Sequence, residues 1–220
     1  MSQATFYPDA IPSTSCDGDV ARDGVNQTLA NIVAGAGTAH NTSPDIGNGG
    51  VIEASATLDQ YDWIARGIIL FDTSSLPDTA TVSAAQLSLF IQQNTDQLLV
   101  STFNIVGSTP ASNTVLANSD YGNLGTTKYS ADMNLGDVVS DQYFDIALNA
   151  TGIAAVSTTG ITKFGIRLTA DGLGGGITWA ATFASYVNFR GASHTGTSQD
   201  PTLLVTYSTV TNNANFLNVF

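Results

Sequence analysis

Two patterns of apolar residues stand back to back in the middle of the chain. The run Ile64-Ala65-Arg66-Gly67-Ile68-Ile69-Leu70-Phe71 is almost unbroken. Its β-branched residues suit a central strand covered on both faces. From Ala85 onward the pattern alternates. Ala85, Leu87, Leu89 and Ile91 point one way, and Gln86, Ser88, Phe90 and Gln92 the other. A period of two marks a strand with one face on a core and the other mostly in water. Between the two runs lies Asp72-Thr73-Ser74-Ser75-Leu76-Pro77-Asp78. Asp72 can accept hydrogen bonds from backbone N–H groups just ahead of it, as an Asx turn. Pro77 fixes φ and removes a donor, which suits a loop. Leu76, the turn's one apolar residue, is expected to fold back onto the core. Arg66 and Arg167 both fall inside strand patterns, and pairing with a carboxylate such as Asp72 would make an in-sheet arginine a structural lock.

The rest of the chain repeats the strand pattern in shorter pieces. Thr5-Phe6-Tyr7-Pro8-Asp9 predicts a short edge strand ending at the proline. Residues 10–24 read as a polar loop punctuated by Gly18 and Gly24. Leu29, Ile32 and Val33 suggest a strand, and residues 34–50 a long Gly-rich loop. Val51 to Leu58 alternates, and Val100 to Val106 is a further strand. Ser108 to Asn123 is polar and loop-like. Tyr143 to Leu148 places Phe144, Ile146 and Leu148 on one face. Lys163 to Leu168 places Phe164, Ile166 and Leu168 inward, with Gly165, Arg167 and Thr169 outward. Residues 177–189 carry Trp179, Phe183, Tyr186 and Phe189 in one or two strands. The one helix predicted is Ala150 to Val156, where Asn149 or Thr151 could cap and Ile153 and Val156 share a face. Roughly nine or ten short strands with one short helix predict an all-β, two-sheet antiparallel sandwich over residues 1–208. Residues 209–220 come after it as a C-terminal tail.

The phrase F-D-T-S-S-L-P, followed by A-T-V-S-A-A-Q-L-S-L, resembles the DNRLRE-type family of extracellular jelly-roll β-sandwich domains. Asp200-Pro201-Thr202-Leu203-Leu204-Val205-Thr206-Tyr207 is similar to that family's closing strand. The resemblance implies a jelly-roll order of strands. Sandwiches of this kind host many functions, so it says little about activity. Five segments resemble phage-encoded relatives more closely than secreted bacterial ones. These are T-F-Y-P-D-A, R-G-I-I-L-F-D-T-S-S-L-P, F-D-I-A-L-N-A-T-G-I-A-A-V, I-T-K-F-G-I-R-L and G-T-S-Q-D-P-T-L-L-V-T-Y.

Charge narrows the function. Six basic residues stand against 18 acidic ones, a net charge of −12. Phosphate contacts need Lys and Arg, so direct nucleic-acid binding is disfavoured, as is attraction to an anionic membrane. No run approaches the length of a membrane span. Cys16 is the only cysteine, so no intrachain disulfide can form. The stretch MSQATFYPDAIPSTS has no basic and apolar regions of a secretion signal as it stands. Release of a particle at lysis is a route that needs none.

Few residues are placed for chemistry. A hydrolytic triad needs a histidine. His40 and His194 both lie in Gly/Ser/Thr-rich stretches, with no G-x-S-x-G element. Two histidines and one distant cysteine offer little to zinc. Asp17, Asp19 and Asp23 form D-x-D-x-x-x-D with an intervening glycine, and their hard oxygens could hold calcium, although the EF-hand spacing and its bidentate Glu are missing. A solvated acidic loop is the plainer reading. Trp63, Trp179, Tyr61, Tyr121, Tyr129 and Tyr186 are the aromatic residues on which a sugar could stack, and burial is the ordinary alternative for each.

The tail contrasts an Asn-rich spacer with apolar Phe216, Leu217, Val219 and Phe220. It is expected either to fold back on its own sandwich or to act as an assembly arm on a neighbouring subunit. The expected function is that of a non-enzymatic structural surface protein of a bacteriophage virion, a capsid decoration or fibre component, with a part in surface or glycan attachment. It would be made in the host cytoplasm and carry no cofactor. Its partners would be further copies, other virion proteins or polysaccharide. The alternative is an extracellular carbohydrate-binding module of a polysaccharide-degrading system.

Overall fold

The structure, a computed structural model, describes residues 1–209. Thirteen antiparallel strands carry nearly half of them: Ser2–Phe6 (β1), Asp17–Gln27 (β2), Ala39–Thr42 (β3), Ile46–Ala54 (β4), Tyr61–Asp72 (β5), Thr81–Asp96 (β6), Thr102–Ser108 (β7), Leu124–Lys128 (β8), Met133–Asn134 (β9), Gln142–Ala147 (β10), Ile161–Leu168 (β11), Ala184–Arg190 (β12) and Thr202–Ser208 (β13). Two short helices, Leu29–Ala34 (α1) and Ala150–Ala154 (α2), and two 3₁₀ turns complete the description.

The two longest strands organise the sheet. Along one edge of β5, β4 pairs with Arg66 and the residues before it, and β11 with Gly67 and those after it. β2 holds the opposite edge. β6 divides in the same way, with β13 and then β12 on one edge and β10 on the other. The order β1-β13-β6-β12-β4-β5-β11-β7-β8 is therefore one continuous ladder that folds over on itself. The result is an all-β antiparallel sandwich around one main apolar cluster.

The central turn forms as its residues require. Every residue from Ile64 to Phe71 is buried. The Asp72 side chain accepts from Ser74 N at 3.0 Å, and Leu76 is only 3% exposed. On β6, Ala85, Leu87, Leu89 and Ile91 are buried, while Gln86, Phe90 and Gln92 are partly exposed. Among the described residues, β1 is an edge strand bonded only to β13. Asn149 caps α2 by accepting from Thr151 N and Gly152 N.

Four expectations are corrected. Residues 10–24 are not all loop, because β2 begins at Asp17 and pairs along β5. The short polar and small residues of β2 disguise it as a loop, yet small residues are what this position needs. A Cβ on Gly18 would meet Asn41 O and the Leu116 side chain, and its φ of +153° suits glycine. Leu29, Ile32 and Val33 lie on α1, not on a strand. Their i, i+3, i+4 spacing is helical, and Thr28 caps the helix by accepting from Asn31 N. Residues 34–50 hold β3 and the start of β4. Finally, the outward face of β11 is covered, with Gly165 buried and Arg167 only 3% exposed.

Candidate functional site

Arg66 on β5 and Arg167 on β11 converge on one carboxylate, but it is Asp171 and not Asp72. Asp171 follows β11 in the turn at Ala170–Gly172. Its Oδ1 and Oδ2 accept from Arg66 Nη2 and Nε, both at 2.7 Å. The same two oxygens accept from Arg167 Nη2 at 3.1 Å and Nε at 2.9 Å. Arg66 also donates to Tyr121 O and Val33 O, and its guanidinium lies 3.8 Å from the centre of the Tyr121 ring. Tyr121 Oη in turn donates to Ile32 O at 2.9 Å. Carbonyls near the end of α1, which lack partners within so short a helix, are thereby bonded. Burial raises the Tyr121 phenol beyond its ordinary range despite the neighbouring arginine. This constellation ties β5, β11, α1 and the 118–123 turn together, and all its charges are used internally.

The aspartates that could have held calcium point to different partners. Asp17 is fully buried, with Oδ2 accepting from Ala192 N at 2.9 Å and Oδ1 without a partner among the described residues. Burial raises its carboxyl to about 7. Asp19 accepts from Asn48 N and Nδ2. Asp23 is exposed. Among the described residues, no three His, Cys, Asp or Glu side chains gather to hold a metal ion.

His40 Nδ1 bonds Asn118 Oδ1 at 2.7 Å, and His194 Nδ1 pairs with Asp45, which also binds Arg190. Among the described residues, no serine hydroxyl or cysteine thiol bonds either ring. Phe216, Leu217, Val219 and Phe220 lie outside the described residues.

The six aromatic residues chosen from sequence are scattered. Tyr61 and Tyr121 are buried. Trp179 donates from Nε1 to Gln60 O, and Tyr129 packs edge-on against Phe164. Trp63 and Tyr186 lie half-buried over Ala21, Val51 and Ala65, a small apolar patch outside the main core.

Two other tyrosines are the exposed ones. Tyr7 is 47% and Tyr143 41% exposed. Both line a groove of about 440 Å³ over the outer face of β1, β13, β6 and β10, with Gln86, Ser88, Asp145 and Thr202 in its wall. Strand register builds this wall, since Ser88 stands opposite Thr202 on one side and Asp145 on the other. Tyr143 stands opposite Phe90 and packs edge-on against its ring at 5.4 Å. Tyr143 Oη donates to Asp200 O at 2.9 Å. Burial raises the Tyr143 phenol, with Asp200 and Tyr7 adding to the shift, so it remains a donor at neutral pH. The ring is thus held in place while part of it stays exposed. The signal was present in the sequence. Phe144 and Ile146 point inward, so Tyr143 and Asp145 must point out. No protein-family model matches the chain, and no curated protein matches it.

Proposed function

We propose that this chain is a non-enzymatic structural surface protein of a bacteriophage virion, a head decoration or fibre component. The observation that carries the reading is where the family-like segments lie. The F-D-T-S-S-L-P turn closes on the core through Leu76, the I-T-K-F-G-I-R-L segment is β11, and the T-L-L-V-T-Y that follows Asp200-Pro201 lies in β13 between β1 and β6. A sandwich whose central strand is covered on both faces and locked by an internal ion network is a rigid block suited to a particle surface. Its partners in this reading are further copies or neighbouring virion proteins. Antibody raised against the chain should label intact particles in electron micrographs. Unlabelled particles would count against the proposal.

A second reading, a carbohydrate-binding module, is favoured by the Tyr7–Tyr143 groove. An aromatic face attracts the C–H side of a sugar ring, while nearby amide, hydroxyl and carboxylate groups can meet its hydroxyls. Gln86, Ser88, Asp145 and Thr202 provide that polar set. Affinity electrophoresis through gels containing host capsular or cell-wall polysaccharide should retard the wild-type chain. Tyr143→Ala with Tyr7→Ala should abolish the retardation without unfolding the sandwich. Equal mobility of both proteins in every gel would remove this reading.

A further inference from the structure

Buried polar atoms that lack a partner are concentrated in one corner of the sandwich. Among the described residues, five side-chain atoms are of this kind: Asp17 Oδ1, Ser43 Oγ, Asn188 Oδ1, Arg190 Nε and Asp200 Oδ1. They come from distant parts of the sequence, and the fold gathers them near the start of β2. Ser43 N donates to Asp17 O at 2.7 Å, and Ala192 N donates to Asp17 Oδ2 at 2.9 Å. Gly191 N donates to Asp45 O, and Arg190 Nη1 to Asp45 Oδ2. A Cβ on Gly191 would meet both Pro44 O and Asp17 Oδ2, so glycine leaves room for that carboxylate beside the Pro44 carbonyl. Asp200 is close enough for its charge to add to what burial does to the Asp17 carboxyl.

The chemistry of these atoms points to a cation. Asp17 and Asp200 are 0% and 3% exposed. A charge buried this deeply is ordinarily paired with a base or bound to a metal. Among the described residues, neither aspartate forms an ion pair. Arg190 is held by Asp45, and Arg66 and Arg167 by Asp171. Neutral oxygens adjoin the Asp17 carboxylate, in the Ser43 hydroxyl and the Pro44 carbonyl. Carboxylate, hydroxyl and carbonyl oxygens form a hard donor set, suited to calcium and not to a softer transition metal. Calcium takes its oxygens from carbonyls and water as readily as from carboxylates, so three carboxylates are not required.

We propose that Asp17 and Asp200 hold a calcium ion, with Ser43 Oγ and Pro44 O among its neutral ligands. The ion ties the start of β2 to the turn between β3 and β4 and to the residues that lead into β13. Of the D-x-D-x-x-x-D run, only Asp17 takes part, because Asp19 is bonded to Asn48 and Asp23 is exposed. In the ion-free chain, burial raises the Asp17 carboxyl to about 7 and so keeps a proton on it below neutrality. The ion takes that proton's place.

Calorimetry of the full chain, stripped with EDTA and dialysed at neutral pH, tests this. Calcium chloride at about 100 times its dissociation constant should raise the melting temperature by roughly 5–10 °C. Sodium chloride of equal ionic strength should not. Asp200→Asn should fold and lose the response to calcium, whereas Asp23→Asn should keep it. If Asp200→Asn does not fold, Asp17→Asn, which retains an acceptor for Ala192 N, should show the same loss. Equilibrium dialysis should find calcium bound to the wild-type chain and not to the variant that has lost the response. A wild-type melting temperature unmoved by calcium would overturn the proposal. So would an equal rise in sodium chloride, or an undiminished calcium response in the Asp200 or Asp17 variant, because the ions would then act on other carboxylates.

Discussion

Asp171→Asn should destabilise the protein more than almost any other single change of equal size. Asp171 is 1% exposed and accepts four hydrogen bonds from Arg66 and Arg167, themselves 2% and 3% exposed. Asparagine keeps the shape, but it turns an amide donor toward two guanidinium groups that have only donors to offer. Two buried positive charges are then left without a counter-ion. Removing one partner from a buried ion pair costs about 3–5 kcal/mol. At roughly 2–4 °C per kcal/mol for a chain of this size, the melting temperature should fall by about 6–20 °C. Thermal and urea unfolding followed by circular dichroism at pH 7 would measure it. The network need not be the most stabilising arrangement possible, since an apolar replacement of all three residues can be neutral or better. Asp72→Asn is the control, because asparagine also accepts from Ser74 N, and it should shift the melting temperature by less than about 3 °C. A shift of less than about 2 °C in Asp171→Asn would refute the reasoning, because relaxation or water entry would then compensate the two arginines.

Leu76→Asp should destabilise by more than about 3 kcal/mol, since it places an unpaired charge where an apolar anchor is buried, and a near-wild-type urea midpoint would show that the turn does not pack as described. Stability should also depend on pH through Asp17, whose carboxyl burial raises to about 7, whereas in the unfolded chain it titrates near ~3.9. The folded state then holds a proton between those values that the unfolded state lacks, so the group's contribution is full below about pH 4 and is lost as pH rises through 7. Asp19 and Asp200 are raised by burial in the same direction. The melting temperature should fall between pH 5 and 8, and Asp17→Asn should flatten that profile; parallel profiles would contradict the assignment. His40→Ala with His194→Ala should shift the melting temperature by no more than about 2 °C, because contacts at such accessible positions contribute little; a larger loss would give the Asp45–His194 pair a structural role.

Strands with strong periodicity were legible from sequence, and the residues that join them were not. β5, β6, β10, β11 and β13 declared themselves through apolar runs or alternation, and α2 through its Asn149 cap. β2 did not, because Asp17, Gly18 and Asp19 are buried by small size and specific hydrogen bonds, which polarity alone hides. α1 carried a helical spacing and a Thr28 cap, but its six residues are short enough to pass for a strand. Arg66 and Arg167 were visible as in-sheet arginines. Their partner was not, since Asp171 lies 105 residues beyond Arg66, and only the β5–β11 pairing brings them together. The exposed tyrosines illustrate the opposite difficulty. Tyr143 was legible by alternation, but the groove it shares with Tyr7 depends on β1 pairing with β13, a contact between the two ends of the sandwich.

Quantitative mass spectrometry of gradient-purified phage particles tests most directly whether the protein resides on the virion. A virion surface component should be present at a fixed copy number relative to the major capsid protein, unchanged by a further round of purification. A chain that is absent from the particles, or that washes away progressively while remaining in the lysate, would contradict the account.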